Sequence, residues 1–486
     1  MDLPLPMQKF ASLPKPPALF LPCAVLLASA LQATPTPVIN EIFYHEDHGA
    51  GTENTLTEWI ELHNPTPATI DLSNWSFSRG ISYTFPPGTS LSGNGYLVVA
   101  ADPPTFNTNH PGIGKGSNVF GPWTGSLRNS GETISLETAA GIRADRVQYA
   151  DEGDWATRAR GPLDNGHRGW TWLADHDGGG SSLELVNPAL SNNQGQNWSS
   201  SAISGGSPGT ANSVASSNEA PLIRNVRHSP VIPRSNDTVV VTAELEHAAI
   251  AGTATLHWRV DGEPNWTSQE LTDNGTGDLS SEIPGYPDET VIEFYIRSSN
   301  GIAERFWPGP VQPSGEQEAN ALIQFDNSYD PDSPWLPGTQ PKYRIIMTED
   351  EREELADIGD DNESPRNEED SNAEMNCTFI VEDGTGIGLR YLSSVRNRGA
   401  SSRNPPPNNF LVKFRSDEPW NDHPSIKFNA QYPHSQVFGS WYFRHAGVET
   451  ANAAAALLRI NGNDLARSGS NMYGSYARVE SFGSEY

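Results

Sequence analysis

From Pro37 onward, apolar residues recur at every second position in short bursts, and each burst ends in a cluster of turn-forming residues. VINEIFYH (38–45), TEWIELHN (57–64), YTFPPGTSL (83–91) and GYLVVAA (95–101) show the pattern first. A period of two sends alternate side chains to opposite faces of an extended strand, so such a chain folds into sheets with one face buried. ETISLETAAGIRADRVQYA (132–150) carries the alternation through Ala140-Gly141 and reads as a hairpin. The 44 glycines and 39 prolines among 486 residues fit many turns and few long helices.

A chain of this length exceeds one hydrophobic core, and ordinary domain sizes suggest about three. Its formal charge of -29 would repel nucleic acid and anionic membranes, which excludes both as general partners while leaving room for a small anion at a local basic spot. Lys9 and Lys15 precede the apolar run ALFLPCAVLLASALQA (18–33), with small-residue cleavage options at Ala28-Ser29-Ala30 or after Ala33. That layout reads as a signal peptide over 1–33. The run is shorter than the roughly 20 residues that span a bilayer and contains Pro22, so cleavage is favoured over a retained anchor. Lipoprotein processing at Cys23 is disfavoured by the same proline. The expected location is secreted or cell envelope, with no membrane span after cleavage. Cys377 is then left without a disulfide partner and reads as a small buried apolar residue.

Residues 151–213 are rich in Trp and Gly (DEGDW, RGWTW, DHDGGGSSLELVNP, NWSSS, GGSPGTAN) and read as ordered loops around a sandwich, with tryptophans filling gaps. VINEIFY, EWIELHNPTPATIDLSNWSFS, FPPGTSLSGNGYLVVA, SLELVNP and GSPGTAN, in that order, resemble the lamin-tail domain over about 36–213. The resemblance implies an immunoglobulin-like β-sandwich over 34–213 that binds or attaches and is not an enzyme, its ligand a protein or a component of the cell envelope. The residues agree, since neither a Gly-x-Ser-x-Gly elbow nor a His-Glu-x-x-His pair occurs. VASSNEA (214–220) reads as a polar linker. PLIRNVRHSP, DTVVVTAELEH, ATLHWRV, SSEIPG and TVIEFYIRSSNG predict a second small sandwich over 221–307, fibronectin type III-like or immunoglobulin-like. Residues 308–341, rich in Pro, Gly, Asp and Ser, read as a linker.

The region 342–486 changes to an α+β pattern. PKYRIIMTEDEREELADIG starts as a strand, after which Thr348 caps a short helix with Glu351 as its expected capping-box partner. DDNESPRNEEDSN (360–372) is an acidic loop without the ligand rhythm of a calcium site. GTGIG (384–388) precedes another strand and not a helix, so it reads as a hairpin turn and not a phosphate loop, and GIGKGS (112–117) lacks the Gly-Lys-Ser/Thr order. A further helix is expected to end at Gly447, with a strand after it. His45-Glu46-Asp47-His48 lies in a loop after a strand, where its side chains splay, and a solvated loop is preferred to a metal site.

VRNRGASSR (395–403), FLVKF (410–414), FRHAG (443–447), LLRINGN (457–463) and MYGSYARVE (472–480) resemble, in order, the N-terminal part of the CotH kinase-like family of spore-coat-type atypical kinases. That resemblance implies phosphoryl transfer from ATP with Mg to exported-protein serines through a divergent two-lobed fold. The positions it assigns to the nucleotide are Arg398, Ser401, Ser402, Arg403, Lys413 and Glu480, and it assigns no catalytic or metal-binding residue here. Two departures weaken the enzyme. Pro406-Pro407-Asn408 stand where family members usually carry Pro-Lys-Lys, and the family's magnesium-binding carboxylates would fall beyond Tyr486. The expected domain is an incomplete kinase-like lobe, and the strand pattern running up to Glu480 favours a fragment. Two functions follow: an exported protein whose complete form phosphorylates other exported proteins, or a non-enzymatic surface-binding protein whose last region is inert. The fold expected throughout is mainly β.

Overall fold

The computed structural model describes residues 36–481 apart from 48, 50, 114–117, 248, 274, 276–277, 310–318, 333–335, 337, 359–370, 385, 400–407 and 466–474. The described residues from Thr36 onward form one compact unit. It is mostly β, as the alternation requires. The first module packs two sheets face to face. One has the order 198–200, 183–185, 38–43, 59–63, 96–100 and 119–120, and the other runs 143–149, 132–137, 76–79 and 83–84. Ile39, Ile42, Leu62, Phe77, Leu97, Ile134 and Val147 fill the space between them. The hairpin expected at Ala140-Gly141 is present, with Gly141 at φ 72°. Helix α1 (Pro103–Asn109), capped by Asp102, buries Phe106 against Phe43 and Trp59 on the outer face of the larger sheet.

That outer face also carries a row of acids. Glu41 lies opposite Glu184 on one neighbouring strand and opposite Glu61 on the other, and all three are fully buried. The GSPGTAN segment straps over them. Glu41 accepts from Ser207 N (2.8 Å) and Ser182 Oγ (2.6 Å), Glu61 from Gly209 N and Asn40 Nδ2 (2.9 Å), and Glu184 from Ser207 Oγ (2.6 Å) and Ser213 Oγ (2.7 Å). Among the described residues no cation joins them. Burial, then the neighbouring Glu61, raises the Glu41 pKa far above the ordinary carboxylate range, and burial lifts Glu61 to about 8. Glu61 is therefore held largely protonated at neutral pH, and burial pushes Glu41 the same way.

The second module is also a sandwich. One sheet has the order 222–229, 239–246, 279–283 and 272–273; the other runs 267–270, 253–260, 291–299 and 304–307. The segment expected as a linker, 308–341, contributes a further strand, Ala321–Gln324, paired with 291–294. All four of its residues are buried, because its apolar run ALIQF closes the face toward the third module. In the expected linker 214–220, Glu219 pairs with Arg305 at 2.9 Å and Ala220 is buried.

In the third module, strands 342–346, 375–382, 387–397, 410–413, 425–429, 476–480 and 453–460 follow one another around a barrel. The last pairs in parallel with the first, Lys342 opposite Leu457, and closes it. Tyr343, Phe379, Val412, Phe428, Leu458 and Tyr476 belong to its core. Cys377 is fully buried there, and burial pushes its thiol pKa well up, in keeping with a packing role. The Gly384–Gly388 region turns between two antiparallel strands, as a hairpin should. Helix α2 (Glu349–Asp357) is capped by Thr348, whose hydroxyl accepts from Glu351 N at 3.4 Å. The Glu351 carboxylate does not reach back as a capping-box partner. Buried, it turns instead to the Trp170 indole, to Arg160 and to Asn376 N. Helix α3 (Pro433–His445) ends before Gly447, which sits at φ 77°, a left-handed stop that glycine tolerates without strain.

The modules share cores. Tyr391 and Leu392 from the barrel sit among Phe294, Trp307 and His228 of the second sandwich, and the Tyr391 hydroxyl bonds His228 Nδ1. Ile232, Val291 and Leu322 meet Ile346 and Ile380 across the same junction. The tryptophans of the first module divide between two jobs. Trp155 and Trp198 fill gaps in its own core, whereas Trp170 belongs to the second module's cluster, with Trp172 packed against it.

Candidate functional site

A cavity lies where the first module meets the barrel. It encloses about 920 Å³ and opens to solvent. Its floor is a two-stranded ribbon, Thr157–Arg160 paired with Trp170–Leu173. Arg158 stands opposite Trp172 and Arg160 opposite Trp170, so alternation places both pairs on one face of the ribbon. The Arg158 guanidinium lies 4.6 Å from the Trp172 ring centre, and Arg160 lies 4.0 Å from that of Trp170. These cation–π contacts stiffen a ribbon only four residues long.

The barrel supplies the opposite wall. Trp170 N donates to Glu374 O at 2.7 Å, Arg158 Nη2 donates to Ser394 Oγ at 3.0 Å, and Asn372 N donates to Asp164 at 2.6 Å. At one end Gly153, with φ 70°, presses so closely on the Asp417 carboxylate that a methyl group there would collide with it. Asp417 also chelates Arg415 at 2.8 and 2.7 Å and accepts from Asp154 N at 3.0 Å. Burial opposes the Arg415 charge, but Asp417 and Asp154 outweigh it and its pKa rises.

Along the cavity run Asp151, Glu152, Asp164, Asp175, Asp177 and Glu374, against Arg158 and Lys413 as the cations. Burial, then Asp151, lifts Glu152 to about 7, and burial raises Asp151 as well. Crowded carboxylates in a partly desolvated groove favour a cationic ligand and disfavour a triphosphate. The groove also meets the loop that contains the His-Glu-Asp-His run. His45 Nδ1 lies 2.6 Å from Asp177 Oδ1, while His48 falls outside the described residues. No group of three His, Cys, Asp or Glu side chains among the described residues is arranged to hold a metal ion.

The nucleotide set expected from the sequence is distributed differently. Lys413 lines the groove, but its ammonium pairs with Glu374, which also lies 3.8 Å from Arg396 Nε. Arg398 sits at the other end of the same strand pair, roughly 13 Å away along the chain direction; it donates to Asn429 Oδ1, and its amide to Asn409 O at 2.9 Å. Burial, then Arg396, lowers its pKa. Glu480 lies two strands from Lys413, accepting from Asn452 N at 3.0 Å and facing His423 Nε2 at 3.1 Å. The described members, Arg398, Lys413 and Glu480, therefore do not converge on one anion-sized space. Ser401, Ser402 and Arg403 lie outside the described residues, as does most of the acidic 360–372 loop.

The ribbon and Glu374 were missed by the sequence reading. The usable signal was Arg-x-Arg followed by Trp-x-Trp, two same-face doublets on neighbouring strands, whereas Glu374 is recognisable only from the folded chain.

A family description, Lamin Tail Domain, matches residues 30–151, ending where the groove begins. The chain thus carries a lamin-tail domain at its N-terminal side, an immunoglobulin-like module of the binding or attachment kind. Nothing in the comparisons supports a kinase-like domain in 342–486. No curated protein matches the chain. Solved structures with local likeness include a cycloalternan-forming enzyme from Listeria monocytogenes in complex with a pentasaccharide substrate, at 8% identity and TM-score 0.16, over 42% of this chain and 20% of that one. Another is a family 64 laminaripentaose-producing β-1,3-glucanase from Paenibacillus barengoltzii complexed with laminarihexaose, at 9% identity and TM-score 0.15, over 43% of this chain and 57% of that one. The chain thus spans a fifth to somewhat over half of these structures, and at such TM-scores the likeness carries no argument.

Proposed function

We propose that the protein is a non-enzymatic binding or attachment protein whose lamin-tail module and barrel together offer an acidic groove to a cationic segment of a partner. The observation that carries this reading is the ratio of six carboxylates to two cations along the groove, with the Lys413 ammonium already paired to Glu374. A partner bearing lysine or arginine side chains would exchange water for carboxylate contacts. The same proposal puts this activity outside the cell or at its envelope, and the signal-like run at 18–33 supports that part of it.

Titration of the chain with a lysine-rich decapeptide, followed by tryptophan fluorescence, tests the groove. Saturable binding that weakens with salt and with Asp175→Asn/Asp177→Asn is expected; equal binding of a glutamate-rich peptide, or none of either, overturns it. The nucleotide reading rests on the resemblance of 342–486 alone, with Arg398, Ser401, Ser402, Arg403, Lys413 and Glu480 as its residues and ATP with Mg as its cofactors. Incubating this chain with labelled ATP, magnesium and a serine-rich acceptor is expected to give no transfer above background.

A further inference from the structure

Helix α3 exposes four large aromatic side chains within six residues. Only Pro433 and Ser440 among its thirteen residues are buried. Phe438 is 64% exposed, Trp441 53%, Tyr442 56% and Phe443 51%, and Tyr432 beside them is 67% exposed. Positions 438, 441, 442 and 445 follow the spacing of one helix face and make a ridge. Its rings touch: centres lie 6.0 Å apart for Phe438 and Trp441, 6.2 Å for Phe438 and Tyr442, and 4.2 Å for Trp441 and His445.

An aromatic side chain buries 150–250 Å² when covered, so these five rings leave roughly 500 Å² open. That is at the upper end of what a monomer exposes in one patch. It is also well over half of the roughly 800 Å² that each partner gives to a stable interface.

We propose that this face is the contact between two copies of the chain, α3 against α3 about a two-fold axis. The ridge lies beside a notch at Gly439, around which a side chain would meet nothing within 4 Å. A ridge next to a notch on one helix is self-complementary, since each copy supplies the ring that fills the other's gap. Charge points the same way. Two chains of net charge -29 repel each other over most of their surface. Helix α3 carries no acidic residue and has Arg444 and His445 in its last turn, so repulsion between copies is least where the rings are.

Sedimentation equilibrium of the full chain at micromolar concentration is expected to give twice the 52.8 kDa chain mass, with association strengthened by added salt. Trp441→Asp and Phe438→Ser each should weaken association at least tenfold while leaving the circular dichroism unchanged, because both side chains face solvent in one copy. Gly439→Leu should weaken it by blocking the notch. Ile142→Asp, at an exposed residue of the first module, should leave it intact. A wild-type chain that stays monomeric at 100 μM overturns the proposal, as does a dimer that survives Trp441→Asp. Binding of monomer to phosphatidylcholine vesicles through the same residues would assign the face to a lipid surface and overturn it too.

Discussion

Replacing Glu351 with alanine tests whether the three modules unfold as one. Its carboxylate is 6% exposed and reaches three segments at once. One oxygen accepts the Trp170 indole N–H of the groove ribbon and lies 3.2 Å from Arg160 Nη1; the other accepts Asn376 N, at 2.5 Å, on a barrel strand. Deleting it leaves two buried N–H donors without an acceptor, each costing ~1–3 kcal/mol. Arg160 is two-fifths exposed, so its lost ion pair adds little. A loss of ~3–5 kcal/mol is expected, a large share of the 5–15 kcal/mol that holds a typical protein folded. Glu351→Gln keeps one acceptor oxygen and should cost roughly half as much. Urea unfolding at pH 7, read by tryptophan fluorescence and by far-ultraviolet dichroism, measures both. If the modules are one cooperative body, the two probes shift together. A loss under ~1 kcal/mol, or a shift in one probe alone, refutes the reasoning.

Three further outcomes follow from buried groups. Burial lifts Glu61 to about 8 in the folded chain against an ordinary 4.5, and Glu41 is raised as well, so the native state keeps protons that the unfolded state has released. The resulting stability is present in full below about 4.5 and is lost as pH climbs through 8, so the unfolding free energy from urea titrations should fall between pH 5.5 and 8.5 by on the order of a few kcal/mol; a free energy that rises over that range would contradict a protonated Glu61. Gly153→Ala should cost at least ~2 kcal/mol, from its left-handed backbone and from displacing Asp417 off Arg415, and a neutral effect in thermal unfolding would be inconsistent with that close approach. Cys377 should resist thiol reagents in the native state and react on unfolding, so labelling mapped to Cys377, apart from Cys23, without denaturant would show that strand to open on its own.

Strand alternation made the two sandwiches readable from sequence, because one buried face forces a period of two. The caps at Thr348 and Gly447 were readable for a similar reason, since each is a local backbone requirement met by a single residue. Glu351 shows where such reasoning stops. Its position in Thr-x-x-Glu suggested a capping box, but a competing indole and amide, distant in sequence, captured its carboxylate. The same holds for Ala321–Gln324, hidden in a Pro- and Asp-rich stretch whose composition suggests a tether, and for Trp170, which leaves its own module to pack in the next. The nucleotide set rests on local likeness, whereas register separates Arg398 from Lys413 by the length of a strand. Carboxylates drawn from four segments make the groove, and no local window of sequence contains it.

Closure of the barrel by Lys342–Ile346 against Ala453–Ile460 bears on how the chain is made. The first of these strands emerges from the ribosome on the order of a hundred residues before its parallel partner. During that interval one side of it is an unsatisfied row of amides and carbonyls, open to any passing extended segment. Synthesis of this protein therefore contains a waiting period that the finished molecule conceals. A holding chaperone that covers that edge until its partner arrives would raise the yield.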